Sequence, residues 1–334
     1  MLAVVLVGGF GTRLRPLTLT IPKPMLPVGH RPMLERVLAN LARGGVTEAV
    51  LSLGFQPDAF TTAFPDGRCA GVELHYAVEP EPLDTAGAIR FAADAAGARE
   101  RFVVVNGDVL TDLDVSELVA FHLERRAEAT IHLTPVDDPS AFGVVPTEDD
   151  GRVLAFIEKP RRDEAPTNLI NGGTYVFEAS MLERIPTGRP VSVERETFPA
   201  VVAEDRLFAM ATDDYWLDTG RPDQFLQANL DLLDGVRRVD RAAALGRDVS
   251  VHPDAVVVHS VLGDGCVISS GARVVDSVLL PGVVVGAGAV VEASAVGRQA
   301  VIGPNARLVE CVVGDGQSVP GGVVLEGARV PEPA

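Results

Sequence analysis

Aliphatic residues return at a fixed interval of six near the C-terminus, at Val278, Val284, Val290, Val296, Ile302 and Leu308. The same spacing recurs in Val261/Val267 and in Val313, Val319 and Leu325. Six is not a multiple of the helical 3.6, and the glycine, proline, aspartate and serine between these positions are turn formers. Such a period predicts a β-helix, in which each repeat supplies one short strand and stacked coils bury a continuous aliphatic core. A valine-rich β-sandwich is the alternative, but it would have to place six in-register positions without a repeat. The register slips near Arg273 and after Leu308, which predicts irregular corners there and fewer coils than in the longest solenoids.

Upstream of residue 230 the texture differs. Short apolar runs alternate with amphipathic stretches, a pattern that predicts strands and helices taking turns in an α/β sheet. The expected elements include a strand over Leu2 to Val7, a helix over Pro32 to Ala42, strands over Ala49 to Leu53 and Glu73 to Val78, and a strand over Arg101 to Val105 that ends at Asn106-Gly107-Asp108. Strand ends of this kind are where open α/β sheets bind ligands. A charged helical connector around Gln224 to Arg241 separates the two textures, giving expected domains of 1–232 and 246–334.

The formal net charge of −17 would repel a phosphate backbone, so nucleic-acid binding is not expected to be the main task. No apolar run is long enough for a membrane span, and the first strand is broken by glycines too early for a secretory hydrophobic region, so a cytoplasmic location is expected. Three dispersed cysteines and six scattered histidines suggest neither a disulfide framework nor a zinc site. Of 29 basic residues only Lys23 and Lys159 are lysine, and each precedes a proline. An ammonium is a compact point charge that a planar guanidinium does not always replace, so lysines that survive such depletion are site candidates.

The glycine-rich loop Gly8-Gly9-Phe10-Gly11-Thr12-Arg13 follows the first strand. Its backbone amides can approach phosphate oxygens where side chains would obstruct them. It is neither a Walker A loop, for no Gly-Lys-Ser/Thr follows, nor a dinucleotide fingerprint, because Leu14 occupies the third glycine position. An ordinary tight turn would also use glycines; the nearby Thr12, Arg13, Arg15 and Pro22-Lys23-Pro24 favour an anion site.

Gly-Gly-Phe-Gly-Thr-Arg-Leu-Arg-Pro-Leu-Thr followed by Pro-Lys-Pro-Met-Leu-Pro resembles the sugar-phosphate nucleotidyltransferases, the nucleotide-sugar pyrophosphorylases. The resemblance continues through Glu81-Pro82-Leu83, Thr85-Ala86-Gly87, Asn106-Gly107-Asp108, Phe142-Gly143-Val144, Glu158-Lys159-Pro160, Asn171-Gly172-Gly173 and Trp216-Leu217-Asp218-Thr219-Gly220. It implies a Rossmann-like mixed sheet followed by a left-handed parallel β-helix. The implied reaction is in-line attack of a sugar 1-phosphate oxygen on the α-phosphorus of a nucleoside triphosphate, with release of pyrophosphate.

By the same resemblance, Arg13 would hold the leaving pyrophosphate and Lys23 would bridge the phosphates as charge develops. Leu6, Gly8, Gly9, Gly11, Thr12, Asp84 and Thr85 would line the nucleotide. Asp108 and Asp218 match the family's magnesium ligands, hard carboxylate donors suited to Mg2+. Taken singly, each could instead be a turn or capping aspartate. Gly143, Glu158, Lys159, Asn171 and Gly172 would meet the sugar phosphate, although the family commonly has alanine where this chain has Gly172 or Gly173, and Glu158 could form only a surface ion pair.

Glu79 falls where uridylyl- and thymidylyltransferases of the family carry glutamine. A carboxylate offers only acceptors, which suits the neighbouring N1 and exocyclic amine donors of guanine. With Pro190-Val191-Ser192-Val193-Glu194-Arg195-Glu196 and Phe198-Pro199, this gives closest similarity to the mannose-1-phosphate guanylyltransferases and an expected preference for GTP. Asp84 departs from the family's usual glycine, so either its loop is rearranged or the substrate preference has shifted, toward glucose 1-phosphate, a deoxysugar phosphate or a carbocyclic analogue.

Two other classes stay open: a nucleotide-sugar-binding paralogue without turnover, for which the set Arg13, Lys23, Asp108 and Asp218 would be unnecessary, and a β-helix acyltransferase, for which His252 and His259 lie only at the start of the solenoid. The solenoid's exposed edges predict a homo-oligomer assembled through this tail.

Overall fold

The computed structural model describes residues 1–54 and 57–332. Contacts divide the chain into two compact units: Met1–Gly9 with Leu34–Trp216, and Phe10–Met33 with the chain from Leu217 onward. The segment that carries Arg13 and Lys23 therefore groups with the C-terminal half, a division that sequence texture does not reveal.

The first unit is built on a mixed sheet of ten strands among the described residues. Strand β1 (Leu2–Leu6) pairs in parallel with β2 (Glu48–Leu53), which pairs in parallel with β3 (Val72–Val78). On its other side β1 pairs in parallel with β4 (Phe102–Asn106). Central parallel strands are covered on both faces and so read as unbroken aliphatic runs; Ala3, Val4, Val5, Val103 and Val104 are fully buried. Helix α1 (Met33–Arg43) buries Leu34, Leu38 and Leu41 at helical spacing, and α2 (Asp84–Ala95) buries Ala86, Ile89, Ala92 and Ala93.

Beyond helix α3 (Val115–Arg125) the sheet turns antiparallel. Strand β5 (Ala129–Pro135) pairs with β6 (Leu169–Phe177), which also pairs antiparallel with β4, while β7 (Leu207–Ala211) runs parallel to β5. Between Asn171 and Tyr175 the β5–β6 register shifts, a bulge made possible by Gly173 at φ +73°.

In the second unit, Phe10–Met33 holds three short 3-10 turns, Thr12–Leu14, Leu17–Leu19 and Lys23–Met25. It is tied to the last coils of the solenoid. Thr20 Oγ1 donates to Asp315 Oδ2 at 2.6 Å and Arg329 Nη1 donates to the Arg15 carbonyl at 2.9 Å. Helix α4 (Pro222–Asp234) ends at Gly235 in the left-handed conformation; the chain expected to continue as helix to Arg241 leaves it there, because a left-handed C-terminal glycine terminates the hydrogen-bond ladder.

The tail is a left-handed parallel β-helix whose strands form three five-stranded sheets. Each strand pairs with the one 17 residues later, as in Ser250↔Val267↔Val284↔Val301↔Ser318, a separation seen also in the Ser260–Ser277 hydrogen bond. The buried column runs Leu262, Ile268, Val274, then Leu279, Val285, Val291, then Val296, Ile302, Leu308, then Val313, Val319. Two steps of six alternate with one of five. The corners near Arg273 and after Leu308 are therefore not irregular, as spacing suggested, but regular five-residue sides that occur once per coil.

A third such side, Val291 to Val296, hides inside the six-residue series. Val278, Val284 and Val290 precede the column residues by one, whereas Val296, Ile302 and Leu308 belong to the column. At one corner buried serines link the coils: Ser277 N donates to Ser260 Oγ, Ser294 N to Ser277 Oγ, and Cys311 N to Ser294 Oγ, at 2.9 to 3.1 Å. These bonds satisfy backbone donors that a tight corner would otherwise bury unpaired.

Candidate active site

In the first unit the candidate residues collect at the C-terminal ends of the parallel strands. Leu6 is in register with Ser52 of β2 and with Asn106 of β4. Gly8 lies against Gly54, where an added Cβ would come within 3.3 Å of the Gly54 nitrogen and 3.6 Å of Glu79 Oε1. Gly9 faces open space. After β4, Gly107 passes so close to β1 that a Cβ would meet Val7 Cγ1 at 2.5 Å, and this close approach fixes the turn that presents half-buried Asp108.

Glu79 follows β3 and is not a solvated turn residue. Its Oε1 accepts from Ser52 Oγ at 2.8 Å and its Oε2 accepts from the Leu83 amide at 3.1 Å. Each oxygen retains a second lone-pair direction for a ligand donor. Asp84, the first residue of α2, has φ +58°, and its Oδ1 accepts from the Thr85 amide. The backbone thus keeps the conformation that glycine serves best, and aspartate tolerates it through this local bond. The helix still begins at Asp84, and its side chain stands exposed.

Thr85 is a latch. Its Oγ1 accepts from the Val193 amide at 2.8 Å and donates to Glu194 Oε2 at 2.7 Å, an oxygen that also accepts from Ser192 Oγ. Val191 O accepts from Ala86 N, and Val191 N donates to Leu83 O. The stretch 190–196 is thereby fastened to the loop that holds Glu79, which gives its sequence pattern a structural reason. A π-helical turn, Val193–Thr197, shapes it.

Among the residues expected to meet the sugar phosphate, Glu158 is in register with Gly143, where a Cβ would lie 2.5 Å from Phe156 Cζ and 3.2 Å from Glu158 Oε2. Lys159 Nζ pairs with Glu158 Oε1 at 2.8 Å. Asn171 Nδ2 donates to the buried Tyr175 hydroxyl at 2.9 Å, and its Oδ1 accepts from the Gly173 amide. Burial pushes the Tyr175 phenol well above its usual range, reinforced by the carboxylate of Glu194.

Gly172 leaves room for His132, since an added Cβ would come 2.5 Å from His132 Nδ1. Burial pushes that imidazole down to about 4. Trp216 Nε1 donates to the Gly172 carbonyl at 2.9 Å and the indole packs edge-on against Phe142, centroids 5.6 Å apart.

In the second unit the chain brings together Arg13, Lys23, Asp218 and Gly220. Gly11 at φ +59° opens the Thr12–Leu14 turn and touches Lys23: a Cβ would meet the Lys23 Cβ at 3.1 Å and Thr18 Cγ2 at 3.0 Å. Thr18 Oγ1 donates to the Gly11 carbonyl at 2.7 Å. Thr12 and Arg13 are exposed. Lys23 is buried, its Nζ 3.5 Å from Asp218 Oδ1. A Cβ on Gly220 would come 2.8 Å from Arg13 Nη2 and 3.0 Å from Asp218 Oδ1, so the glycine makes room for the guanidinium beside the carboxylate.

Three of the motifs thus converge around two cations and a carboxylate, an arrangement suited to holding phosphate oxygens. Asp108 belongs to the first unit and Asp218 to the second. Both offer the hard oxygen donors that a magnesium ion takes, and Asp218 already faces a cation at Lys23.

The chain belongs to the nucleotidyl transferase family, which it matches over residues 2–235, and residues 238–333 match the GMPPB C-terminal domain. It is 42% identical over 301 residues to the mannose-1-phosphate guanylyltransferase of Mycobacterium tuberculosis, covering 87% of this chain and 82% of the relative.

Mannose-1-phosphate guanylyltransferase 1 of Arabidopsis thaliana is 35% identical over 318 residues, with 89% and 86% covered. Among solved structures, HddC from Yersinia pseudotuberculosis superposes with a TM-score of 0.59 at 29% identity, covering 68% of this chain and 97% of that one. HddC complexed with GMP-PN gives 0.58 over the same shares.

Proposed function

We propose that this enzyme transfers a guanylyl group from GTP to a sugar 1-phosphate, with mannose 1-phosphate or a close analogue as acceptor, forming a GDP-sugar and pyrophosphate. The observation that carries the base assignment is Glu79, an acceptor-only group held on both oxygens beside Gly8. The named relatives and the GMP-PN complex of HddC support the same base.

Arg13 and Lys23 are proposed to bind the triphosphate and to offset charge as the bond to pyrophosphate breaks. Lys159 and Glu158 orient the acceptor, the lysine on its phosphate and the carboxylate on a hydroxyl, while Asn171 and the amides at Gly172 and Gly143 supply further bonds. Asp108 and Asp218 are the proposed holders of Mg2+, which when bound would neutralise phosphate charge. Among the described residues no helix is long and apolar enough to cross a membrane.

Pyrophosphate release across GTP, UTP, dTTP and ATP, each with mannose, glucose and carbocyclic 1-phosphates, tests the reading. GTP with mannose 1-phosphate is expected to give the highest kcat/KM; UTP or dTTP outperforming GTP overturns the base assignment. Light scattering of the full chain against one ending near residue 240 tests assembly through the β-helix, and an unchanged oligomer counts against it.

A further inference from the structure

Ser52 lies in the apolar run Ala49-Val50-Leu51-Ser52-Leu53 of β2 and is fully buried. A fully buried serine near the end of an apolar strand needs a reason. Its hydroxyl has one proton and two acceptors in reach, Glu79 Oε1 at 2.8 Å and the Ala88 carbonyl of α2 at 3.3 Å. The shorter contact is to the ionisable partner, and a hydrogen bond to a carboxylate is the stronger kind.

The remaining fixings of Glu79 are backbone ones: its own amide donates to the Leu53 carbonyl, and its Oε2 accepts from the Leu83 amide, which belongs to the loop latched by Thr85, Val191 and Val193. Ser52 is therefore the one side chain of the described residues hydrogen-bonded to this carboxylate. Two anchors, one on each oxygen, fix the plane of the carboxylate; one anchor would leave it free to rotate about its terminal bond. The plane matters because two neighbouring donors on one ligand edge must meet both oxygens together.

We infer that Ser52 is a positioning residue for base selection, setting the plane of the Glu79 carboxylate against a purine edge that carries two adjacent donors. This rests on the guanine reading of Glu79. Ser52 acts through Glu79 and touches no substrate, so its loss should weaken nucleotide binding selectively rather than slow the chemical step. A donor aimed at Oε1 also requires an acceptor there, which disfavours the amide nitrogen of a glutamine in the same orientation.

The experiment is steady-state kinetics and equilibrium GTP binding on the full-length enzyme with Ser52→Ala and Ser52→Cys, the latter keeping the buried volume with a much weaker donor. Both are expected to raise KM and Kd for GTP about tenfold, with kcat within about twofold and with UTP parameters nearly unchanged, the size associated with one charge-assisted bond. In a Glu79→Ala background, Ser52→Ala should add nothing further.

Unchanged KM for GTP in both variants, an equal rise for every nucleotide, or a full additional effect in the Glu79→Ala background would each overturn the inference. Thermal melts guard against loss of folding, and a midpoint drop shared by both variants with an unchanged GTP-to-UTP ratio also overturns it. A wild-type preference for UTP is a separate outcome: it removes the guanine reading itself, and with it the positioning role of Ser52.

Discussion

The chain has two lysines, both paired with carboxylates, and the two pairs could hardly be set in more different surroundings. Lys23 and Asp218 stand 3.5 Å apart with side chains 6% and 21% exposed. Lys159 and Glu158 are closer, 2.8 Å, but the lysine is 57% exposed. Water screens the second pair, and long surface side chains forfeit much of their Coulomb gain to entropy. The buried ammonium has no such screen, and its interaction with any incoming phosphate is correspondingly strong. Distance alone would rank the pairs the wrong way round. Burial predicts that replacing Lys23 costs more than replacing Lys159.

The sharpest way to break this contrast is to replace each lysine by arginine. Lys23→Met is expected to lower kcat/KM for pyrophosphate formation by about 100- to 1000-fold, as when a preorganised charge is removed from a transition state. Lys23→Arg should rescue little, because a planar guanidinium does not reproduce the compact ammonium that is buried beside Asp218 Oδ1. Near wild-type turnover in Lys23→Arg would end the distinction. Lys159→Ala should raise KM for the sugar phosphate about tenfold with a smaller change in kcat, while Lys159→Arg, facing solvent, should recover most of it.

Around Gly172, one of the residues expected to meet the sugar phosphate, backbone proximity counts as well as charge. Gly172→Ala should destabilise the enzyme by about 1–3 kcal/mol in denaturant titration, since the methyl would overlap His132. His132→Ala in the same chain should restore much of that loss. If Gly172→Ala is neutral alone, the two residues are not matched to each other.

The smallest expected effect concerns a third pair of opposite charges. His259 lies between Asp276 Oδ1 at 2.5 Å and Asp234 Oδ2 at 3.1 Å, and the hydrogen bond that its Nδ1–H donates to Asp276 leads the causes that raise its pKa. A raised folded-state value means that the protonated form stabilises the folded state. That contribution is full below the ordinary value of 6.5 and is lost as pH rises through the folded value. Because the ring is exposed, melting midpoints should fall only slightly across that window, by less than His259→Gln removes at low pH; a midpoint that rises with pH only in the wild type would contradict this.

Much of this molecule is written locally. Gly8 to Arg13, the strand-end Asn106-Gly107-Asp108 and the aliphatic spacing of the tail each follow from what a few neighbouring residues can do. Other features depend on residues distant in sequence. Ser52 looks like an incidental polar residue in a core strand, and only the pairing of β2 with β3 places it beside Glu79.

Thr85 resembles a ligand contact until Val193 and Glu194, more than a hundred residues on, are seen to use its hydroxyl. The five-residue sides of the solenoid escape a period count because the step from Val290, one residue before the column, to Val296, within it, preserves the interval of six. Nor does composition hint that Phe10–Met33 joins the C-terminal unit; Thr20 and Arg15 reach partners about 300 positions away.

A tail that repeats every 17 residues is also a measuring device. Each coil advances the stack by one inter-strand spacing, about 4.8 Å, so reach is set by counting turns rather than by the strength of any contact. Loss or duplication of one whole turn would change that reach by a single increment and leave the buried column and the Ser260, Ser277, Ser294 ladder in phase. Loss of one residue would put every later side chain on the wrong face. Lineages carrying such a tail are therefore free to vary its length only in quanta.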